Sequence, residues 1–154
     1  MKRSLKHTID KLKNRIIAYY GERLISLVLY GSCARGRATA ESDIDLLIIA
    51  DRLSMRKMKR IEEFIDNIEK GFETSSHYIS PVIKTPEEAS SGSLLFLDMI
   101  YDANILYDKD DFFKMVIERL RKKTEELGSK RVFKGNRWYW ILKPDYKSGD
   151  VIEL

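Results

Sequence analysis

The sequence predicts an α/β (α+β) fold: a small mixed β-sheet with helices packed on one of its faces. Two short apolar runs, Leu24–Tyr30 and Asp43–Ala50, have the length and composition of buried strands. Other segments repeat apolar residues at helical spacing, as amphipathic helices do. A chain of 154 residues is the size of one domain with a single core.

The first half of the chain alternates helix and strand. Apolar residues over Leu5–Tyr19 recur at helical spacing, and Gly21 follows as a helix terminator. The strand Leu24–Tyr30 comes next, and the strand Asp43–Ala50 follows a connection that contains glycine. A second amphipathic helix is predicted over Leu53–Lys70, and we interpret the basic residues near its start as a solvated face.

The second half continues the pattern with shorter elements. A third strand is predicted over Ser76–Thr85, and Pro81 within it favours a sheet edge because proline cannot donate a ladder hydrogen bond. Thr85 and Pro86 are residue types that start helices. The remaining predicted elements are a buried helix, a brief strand and an amphipathic helix, over Leu94–Ile100, Ile105–Asp108 and Asp110–Leu127.

Composition indicates which partners the protein can bind and where it resides. The net charge of +4 permits a polyanionic partner but does not require nucleic acid. No apolar run is long enough to span a bilayer, so no membrane partner is expected. The lone cysteine, Cys33, fits a reducing cytoplasm, where we expect the protein to reside. The chain lacks glutamine and is rich in Lys, Arg and Glu, which suits a hyperthermophile.

The C-terminal segment differs in character from the rest. We expect residues 1–128 to form the main domain and residues 129–154 to form a basic and aromatic extension packed on it. Trp138, Tyr139 and Trp140 follow basic residues in this extension. Such residues could stack on nucleic-acid bases, but packing against the domain or a partner is the favoured interpretation.

The residues after the first strand predict a phosphate-binding turn. Gly31 lets the backbone approach a phosphate without an intervening side chain. Ser32 adds a hydroxyl and a backbone N–H, and a helix that starts here would direct further N–H groups to the same place. Arg35 can make bidentate contacts to phosphate oxygens. A glycine–serine turn is also common without a ligand, so the turn alone leaves both interpretations open.

Two carboxylates at the start of the second strand favour the ligand-binding interpretation. Asp43 and Asp45 are two residues apart and therefore share a face of the strand. Such a pair repels and loses hydration unless a cation lies between the carboxylates. Oxygen ligands suit Mg²⁺, which takes its other ligands from water and substrate phosphates. The alternative is a pair of solvated aspartates at a strand end.

Together these motifs resemble the signature of the DNA polymerase beta-like nucleotidyltransferase superfamily. The resemblance lies in Gly31–Ser32, ten intervening residues, and then Asp43-Ile44-Asp45. The longer string from Gly31 to Leu46 is similar to the minimal nucleotidyltransferases of prokaryotes, and an archaeal member is expected. The order of the predicted elements also fits the catalytic palm of that superfamily.

The resemblance implies a site and a reaction. Gly31, Ser32 and Arg35 would bind a nucleoside triphosphate, with ATP favoured, while Asp43 and Asp45 would be the catalytic residues and hold Mg²⁺. A hydroxyl would attack the α-phosphorus, accept AMP and release pyrophosphate. In related systems a minimal nucleotidyltransferase acts as an antitoxin that adenylylates a tyrosine of a HEPN-domain protein, so a partner of this type is implied.

Two departures from the family pattern bear on activity. Many members have arginine where this chain has Cys33, a residue at a predicted helix N-terminus whose pKa the neighbouring Arg35 and Arg37 could lower. The family also carries a third acidic residue on the next strand, where Ser76–Val82 has none. Glu73 and His77 are the candidate replacements. The alternative function is therefore a nucleotide-binding module with weakened catalysis, acting as the interaction half of a two-protein complex.

Overall fold

A computed structural model describes residues 3–74 and 76–154, and Met1, Lys2 and Ser75 lie outside the described residues. The helices are α1 (Arg3–Tyr20), α2 (Gly31–Ala34), α3 (Lys57–Phe64, continuing as a π-helical turn over Ile65–Glu69), α4 (Pro86–Ser90), α5 (Leu95–Asp102) and α6 (Phe112–Leu127). The strands are β1 (Leu24–Tyr30), β2 (Ile44–Ala50), β3 (Ile79–Lys84), β4 (Asn104–Asp108), β5 (Lys130–Lys134) and β6 (Arg137–Ile141). None of the helices in these two ranges has the length and apolar character needed to cross a membrane.

The main sheet is mixed and has the strand order β3-β2-β1-β4. β1 runs antiparallel to β2 and β4, whereas β2 and β3 are parallel. α3 lies in the crossover between the parallel strands, which cannot be joined by a tight turn. β3 carries Pro81 and lies at a sheet edge, as predicted. The prediction of a small mixed sheet in an α/β fold is confirmed.

Helices cover both faces of the sheet, so the predicted packing on one face is wrong. Leu27 and Leu29 of β1 join a core cluster with α1 and α3, whereas Val28 faces a second cluster built with α5 and α6. The central strands β1 and β2 are apolar on both faces, and both faces therefore need a cover. The continuous apolar runs in the sequence already required this arrangement.

Two helices begin later than their periodicity predicts. Arg52 has a φ of 54°, and the hydroxyl of Ser54 accepts a hydrogen bond from the backbone N–H of Arg56 at 3.2 Å. The chain therefore turns before α3 begins. Asp110 and Asp111 have φ values of 52° and 55°, so α6 also begins only after a turn. Such left-handed residues interrupt a helix without disturbing its apolar repeat.

α4 begins with the predicted cap and also anchors a buried arginine. The Thr85 hydroxyl accepts the Glu88 backbone N–H at 3.2 Å, and the Glu88 carboxylate accepts the Thr85 backbone N–H at 3.1 Å. Arg60 donates two hydrogen bonds to the same carboxylate, at 2.8 and 3.0 Å. Arg60 is only 2% exposed, so this member of the basic run does not belong to a solvated face.

The C-terminal segment contains a β-hairpin, which the sequence interpretation missed. β5 and β6 are antiparallel, and Lys134 pairs with Arg137 across the two-residue turn Gly135–Asn136. The alternation along β6 places Trp138 and Trp140 on one face. This face contacts α5, where the ring of Trp140 stacks on Tyr101 with the ring centres 6.1 Å apart.

Candidate active site

β1 and β2 bring the glycine turn and the aspartates together. Tyr30, the last residue of β1, pairs with Asp45 across the sheet, and Gly31 follows directly. Gly31 has a φ of 72°, and a Cβ at this position would overlap the carboxylate of Asp45. Both the backbone conformation and the space therefore require glycine.

A single helical turn, α2, carries the other residues of the predicted phosphate site. The backbone N–H of Arg35 donates to the Gly31 carbonyl at 3.2 Å, and that of Arg37 donates to the Ser32 carbonyl at 3.0 Å. The Cys33 thiol is buried and donates to the carbonyl of Asp43 at 3.2 Å. This contact ties α2 to the start of β2, so the turn and both aspartates form one compact group.

The two carboxylates influence each other. Burial raises the pKa of Asp45, the negative charge of Asp43 raises it further, and the positive charge of Arg35 lowers it. Asp45 is half-buried and Asp43 is exposed. A half-buried carboxylate with a like charge beside it is the setting in which a divalent cation is stabilising.

The position expected to carry a third carboxylate holds a serine. In the parallel register of β2 and β3, Asp45 pairs with Ser80. His77 precedes β3 and its Nδ1 donates to the Ser42 carbonyl at 2.6 Å, while Glu73 is exposed. Within the described part of the chain, no three His, Cys, Asp or Glu side chains gather as metal ligands. Neither His77 nor Glu73 therefore completes a three-ligand group with the aspartates.

Two other side chains near the aspartates stay protonated at neutral pH. Burial, reinforced by the charge of Asp45, raises the pKa of Tyr30 to about 12. Burial also raises the pKa of the Cys33 thiol, so the expectation that Arg35 lowers it is wrong. Tyr30 is thus suited to donate a hydrogen bond, and Cys33 serves as a buried packing residue rather than a nucleophile.

Two clefts adjoin the glycine turn, and Arg35 lines both. The smaller has a volume of about 170 Å³ and is lined by Tyr30, Gly31, Arg35, Leu95, Asp98, Met99 and Asp102. The larger has a volume of about 420 Å³ and is lined by Ala34, Arg35, Arg37, Tyr101, Asp102, Ala103, Arg131, Phe133 and Trp138. The candidate site therefore opens toward α5 and the hairpin.

Sequence reasoning missed the residues of α5 and the hairpin that border these clefts. Trp138 was assigned to packing, and Asp98 was counted only as part of an apolar helix. The Gly135–Asn136 dipeptide between alternating residues was an available hairpin signal. Nothing local in the sequence indicated that the hairpin would meet the turn after β1.

Comparison with known protein families identifies the class to which this fold and site belong. A sequence model of the family described as "Nucleotidyltransferase domain" matches residues 9–123. The chain therefore belongs to the nucleotidyltransferase domain family, as the motif predicts. The matched segment contains the glycine turn and both aspartates and ends before the hairpin begins.

The chain is similar in sequence to a known protein and in fold to solved structures. A Methanocaldococcus jannaschii protein named "Putative protein adenylyltransferase MJ1305" is 33% identical over 119 residues, which cover 76% of this chain and 81% of that protein. The crystal structure of spectinomycin adenyltransferase AAD(9) from Enterococcus faecialis, with ATP and spectinomycin, has a TM-score of 0.52 at 16% identity, covering 79% of this chain and 66% of that one. A crystal structure of a toxin–antitoxin with AMP-PNP has a TM-score of 0.47 at 15% identity, covering 82% of this chain and 94% of that one.

Proposed function

We propose that this protein is a Mg²⁺-dependent nucleotidyltransferase that transfers AMP from ATP to a hydroxyl group of a protein. The observation that carries the proposal is the approach of the Asp45 carboxylate to the backbone of Gly31. This approach supports the proposal because it brings the glycine turn next to one carboxylate of the aspartate pair. A nucleoside triphosphate with bound Mg²⁺ presents both partners at once.

The donor set fits Mg²⁺. Asp43 and Asp45 would supply oxygen ligands, and the metal would offset the burial and the repulsion by Asp43 that together raise the pKa of Asp45. When bound, Mg²⁺ neutralises charge on the substrate phosphates and orients them. Gly31, through its lack of a side chain, leaves room for the carboxylate on one side and for a phosphate near the backbone.

The remaining residues bind and orient the triphosphate. The Ser32 hydroxyl and the N–H groups at the start of α2 donate hydrogen bonds to phosphate oxygens. Arg35 adds charge-assisted hydrogen bonds from its guanidinium. The acceptor oxygen then attacks the α-phosphorus, the bond from that phosphorus to the bridging oxygen breaks, and pyrophosphate leaves.

A protein acceptor is favoured over a small molecule. The M. jannaschii relative is named as a protein adenylyltransferase and is similar over most of both chains. The family resemblance further favours a tyrosine of a HEPN-type partner, which would make this chain the antitoxin-like member of a pair. The tyrosine hydroxyl supplies the attacking oxygen.

A second candidate function is a nucleotide-binding module with weakened catalysis. Ser80 favours it, because this residue occupies the position beside Asp45 where the resemblance implies a third carboxylate. A serine hydroxyl is a poorer metal ligand and a poorer proton acceptor than a carboxylate. The chain would then bind the nucleotide as part of a two-protein complex.

A labelling experiment tests the proposal. The protein and a HEPN-type partner are incubated with Mg²⁺ and ATP labelled at the α- or the γ-phosphate. We expect label on the partner from α-labelled ATP only, and a loss of about 100-fold or more in the Asp43→Ala variant, because removal of a metal ligand costs several kcal/mol of transition-state stabilisation.

Asp66→Ala is the matched control, because Asp66 is exposed on the π-helical turn after α3. Equal labelling by Asp43→Ala and the unaltered protein contradicts the proposal, and so does transfer of the γ-label. Binding of Mg²⁺ and ATP without transfer to any partner tested favours the second candidate function.

A further inference from the structure

The hairpin is fixed to α5 by one carboxylate. Asp98 Oδ1 accepts a hydrogen bond from the indole Nε1–H of Trp138 at 2.7 Å and another from that of Trp140 at 2.9 Å. The alternation along β6 makes the two indoles neighbours on the same face. A single acceptor therefore sets the orientation of both rings.

Trp138 in turn supports the arginine of the candidate phosphate site. The guanidinium carbon of Arg35 lies 4.9 Å from the centre of the Trp138 ring. Arg35 Nε is buried and has no hydrogen-bond partner within the described chain. The aromatic face is therefore a principal contact that defines where this guanidinium lies.

A second arginine strengthens the same support. The guanidinium carbon of Arg131, on β5, lies 4.7 Å from the centre of the Trp138 ring. The same guanidinium forms an ion pair with the carboxylate of Asp102 at 3.4 Å. Arg131 also lies 5.1 Å from the ring centre of Tyr101 on α5. Arg131 of β5 thus contacts the Trp138 ring while Asp98 of α5 accepts a hydrogen bond from its Nε1–H, and the two contacts together restrict rotation of the ring.

The hairpin lies outside the segment that the nucleotidyltransferase family model matches, which ends at residue 123. It nevertheless forms one wall of the 420 Å³ cleft that Arg35 also lines. The charge of Arg35 reaches the aspartates as well, since it influences Asp45. The extension therefore contacts the candidate site through Arg35, which lies against Trp138 and influences Asp45.

We propose that the C-terminal hairpin is a positioning element of the nucleotide site, in which Asp98 orients Trp138 and Trp138 holds the Arg35 guanidinium where it contacts the substrate phosphates. The inference rests on the proposed function, because it assumes that Arg35 binds phosphate. Trp138 is a positioning residue in this scheme: it acts through Arg35 and does not contact the nucleotide itself.

The scheme differs from direct stacking of Trp138 on the nucleobase, and inorganic tripolyphosphate separates the two. Binding of ATP and of tripolyphosphate, each with Mg²⁺, is measured by calorimetry for the unaltered protein and for Arg35→Ala, Trp138→Ala and the double variant. We expect Arg35→Ala to weaken both ligands about tenfold or more. Trp138→Ala should weaken both about threefold to tenfold.

The double variant decides whether Trp138 acts through Arg35. If Trp138 acts through Arg35, Trp138→Ala has no further effect once Arg35 is absent, and the double variant matches Arg35→Ala within about twofold. Trp138→Phe keeps an aromatic face and should retain more affinity than Trp138→Ala. Tyr139→Ala, on the opposite and exposed face of β6, is the matched control and should bind like the unaltered protein.

Several results overturn the inference. One is a loss in Trp138→Ala that is confined to ATP, which indicates contact with the base. Another is a loss that adds to that of Arg35→Ala, or no loss at all. The third is identical weakening by Trp138→Phe and Trp138→Ala with unchanged circular dichroism. Failure of the unaltered protein to bind either ligand overturns the proposed function itself, and the inference with it.

Discussion

Gly31 lies so close to the carboxylate of Asp45 that a Cβ on Gly31 would overlap it. The constraint has two independent parts, the positive φ of Gly31 and the carboxylate beside its Cα. Gly36 offers a natural comparison, because its φ is 70° and a Cβ there would meet nothing within 4 Å. The two glycines thus separate the effect of backbone strain from that of crowding at the site.

Substitution of these glycines by alanine should give different outcomes. Gly36→Ala should lower the free energy of unfolding by about 1 kcal/mol, which is the strain of a left-handed alanine. Gly31→Ala should lower it further and also weaken the binding of Mg²⁺ and ATP about tenfold or more, because Asp45 must move. Urea unfolding and calorimetry measure the two effects. Equal nucleotide affinities in the two variants would contradict the assigned role of Gly31.

Asp45 should show a trade-off between stability and function. Because its pKa is raised in the folded protein, the folded state binds the proton more tightly, and stability falls as pH rises from 3.8 through that raised pKa. Asp45→Asn should therefore raise the melting temperature at pH 7 without metal. The same variant should lose Mg²⁺-dependent nucleotide binding. A lower melting temperature at pH 7, or an unchanged pH dependence of stability, would contradict this account.

At the scale of elements, an ion pair between the buried Arg60 and the partly exposed Glu88 joins the crossover between β2 and β3 to α4. Arg60 of α3 reaches Glu88 of α4 and also donates to the backbone carbonyls of Ser54 and Ile83, at 2.6 and 3.3 Å. The arginine thereby joins α3, the edge strand β3 and α4. The same edge strand carries Ser80, which pairs with Asp45 of β2.

Removal of each partner of this ion pair should lower the free energy of unfolding by a different amount. Glu88→Ala leaves the Arg60 charge buried and opens the cap of α4, so the free energy of unfolding should fall by about 3 kcal/mol. Arg60→Met leaves Glu88 partly exposed to water and should cost less, about 1–2 kcal/mol. Glu87→Ala, an exposed acidic residue in the same turn, is the control.

The pH dependence of the Glu88 effect follows from its pKa. Hydrogen bonds from Arg60 lower the pKa of Glu88, so its stabilising contribution is present above 4.5 and is lost as pH falls through the lowered pKa. Urea unfolding at several pH values should show the unaltered protein and Glu88→Ala converging under acid conditions. A difference that stays constant down to pH 2 would contradict an ionic origin.

The sequence predicted the elements that its local patterns determine. β1 is predicted to the residue, and the Thr85 cap follows from the residue types alone. The turns at Asp110 and Asp111 were not predicted, because helical periodicity gives no information on backbone dihedral angles. The burial of Arg60 was not predicted either, since a basic run does not reveal that a distant helix supplies a carboxylate partner.

At the scale of the whole molecule, the sheet is enclosed between two helical layers and the candidate site opens at the end of β1. The family resemblance implied that Gly31 and Asp45 belong to one site, and the antiparallel pairing of β1 and β2 brings these residues together. Contacts across tertiary structure were not predictable in this way. The meeting of Trp138 with Arg35 joins residues about a hundred positions apart and depends on how the hairpin folds back on α5.

The division of the chain at residue 128 stays a prediction, as do the roles of Gly31, Ser32, Arg35, Asp43 and Asp45. The hairpin contacts α5 through hydrogen bonds, an ion pair and stacked rings. These contacts bring the extension to the edge of the candidate site. The extension and the nucleotidyltransferase domain are therefore expected to act together on one nucleotide.

The binding of a non-hydrolysable ATP analogue tests the central claim most directly, because it examines the site without requiring an acceptor. Calorimetry is performed with Mg²⁺ and with EDTA, on the unaltered protein and on Asp43→Asn, Asp45→Asn and the control Asp66→Asn. We expect one nucleotide bound per chain with Mg²⁺, and affinity at least tenfold weaker in EDTA and in both site variants. Binding that is indifferent to Mg²⁺ and unchanged in Asp43→Asn and Asp45→Asn would contradict the claim that this turn and carboxylate pair form the nucleotide site.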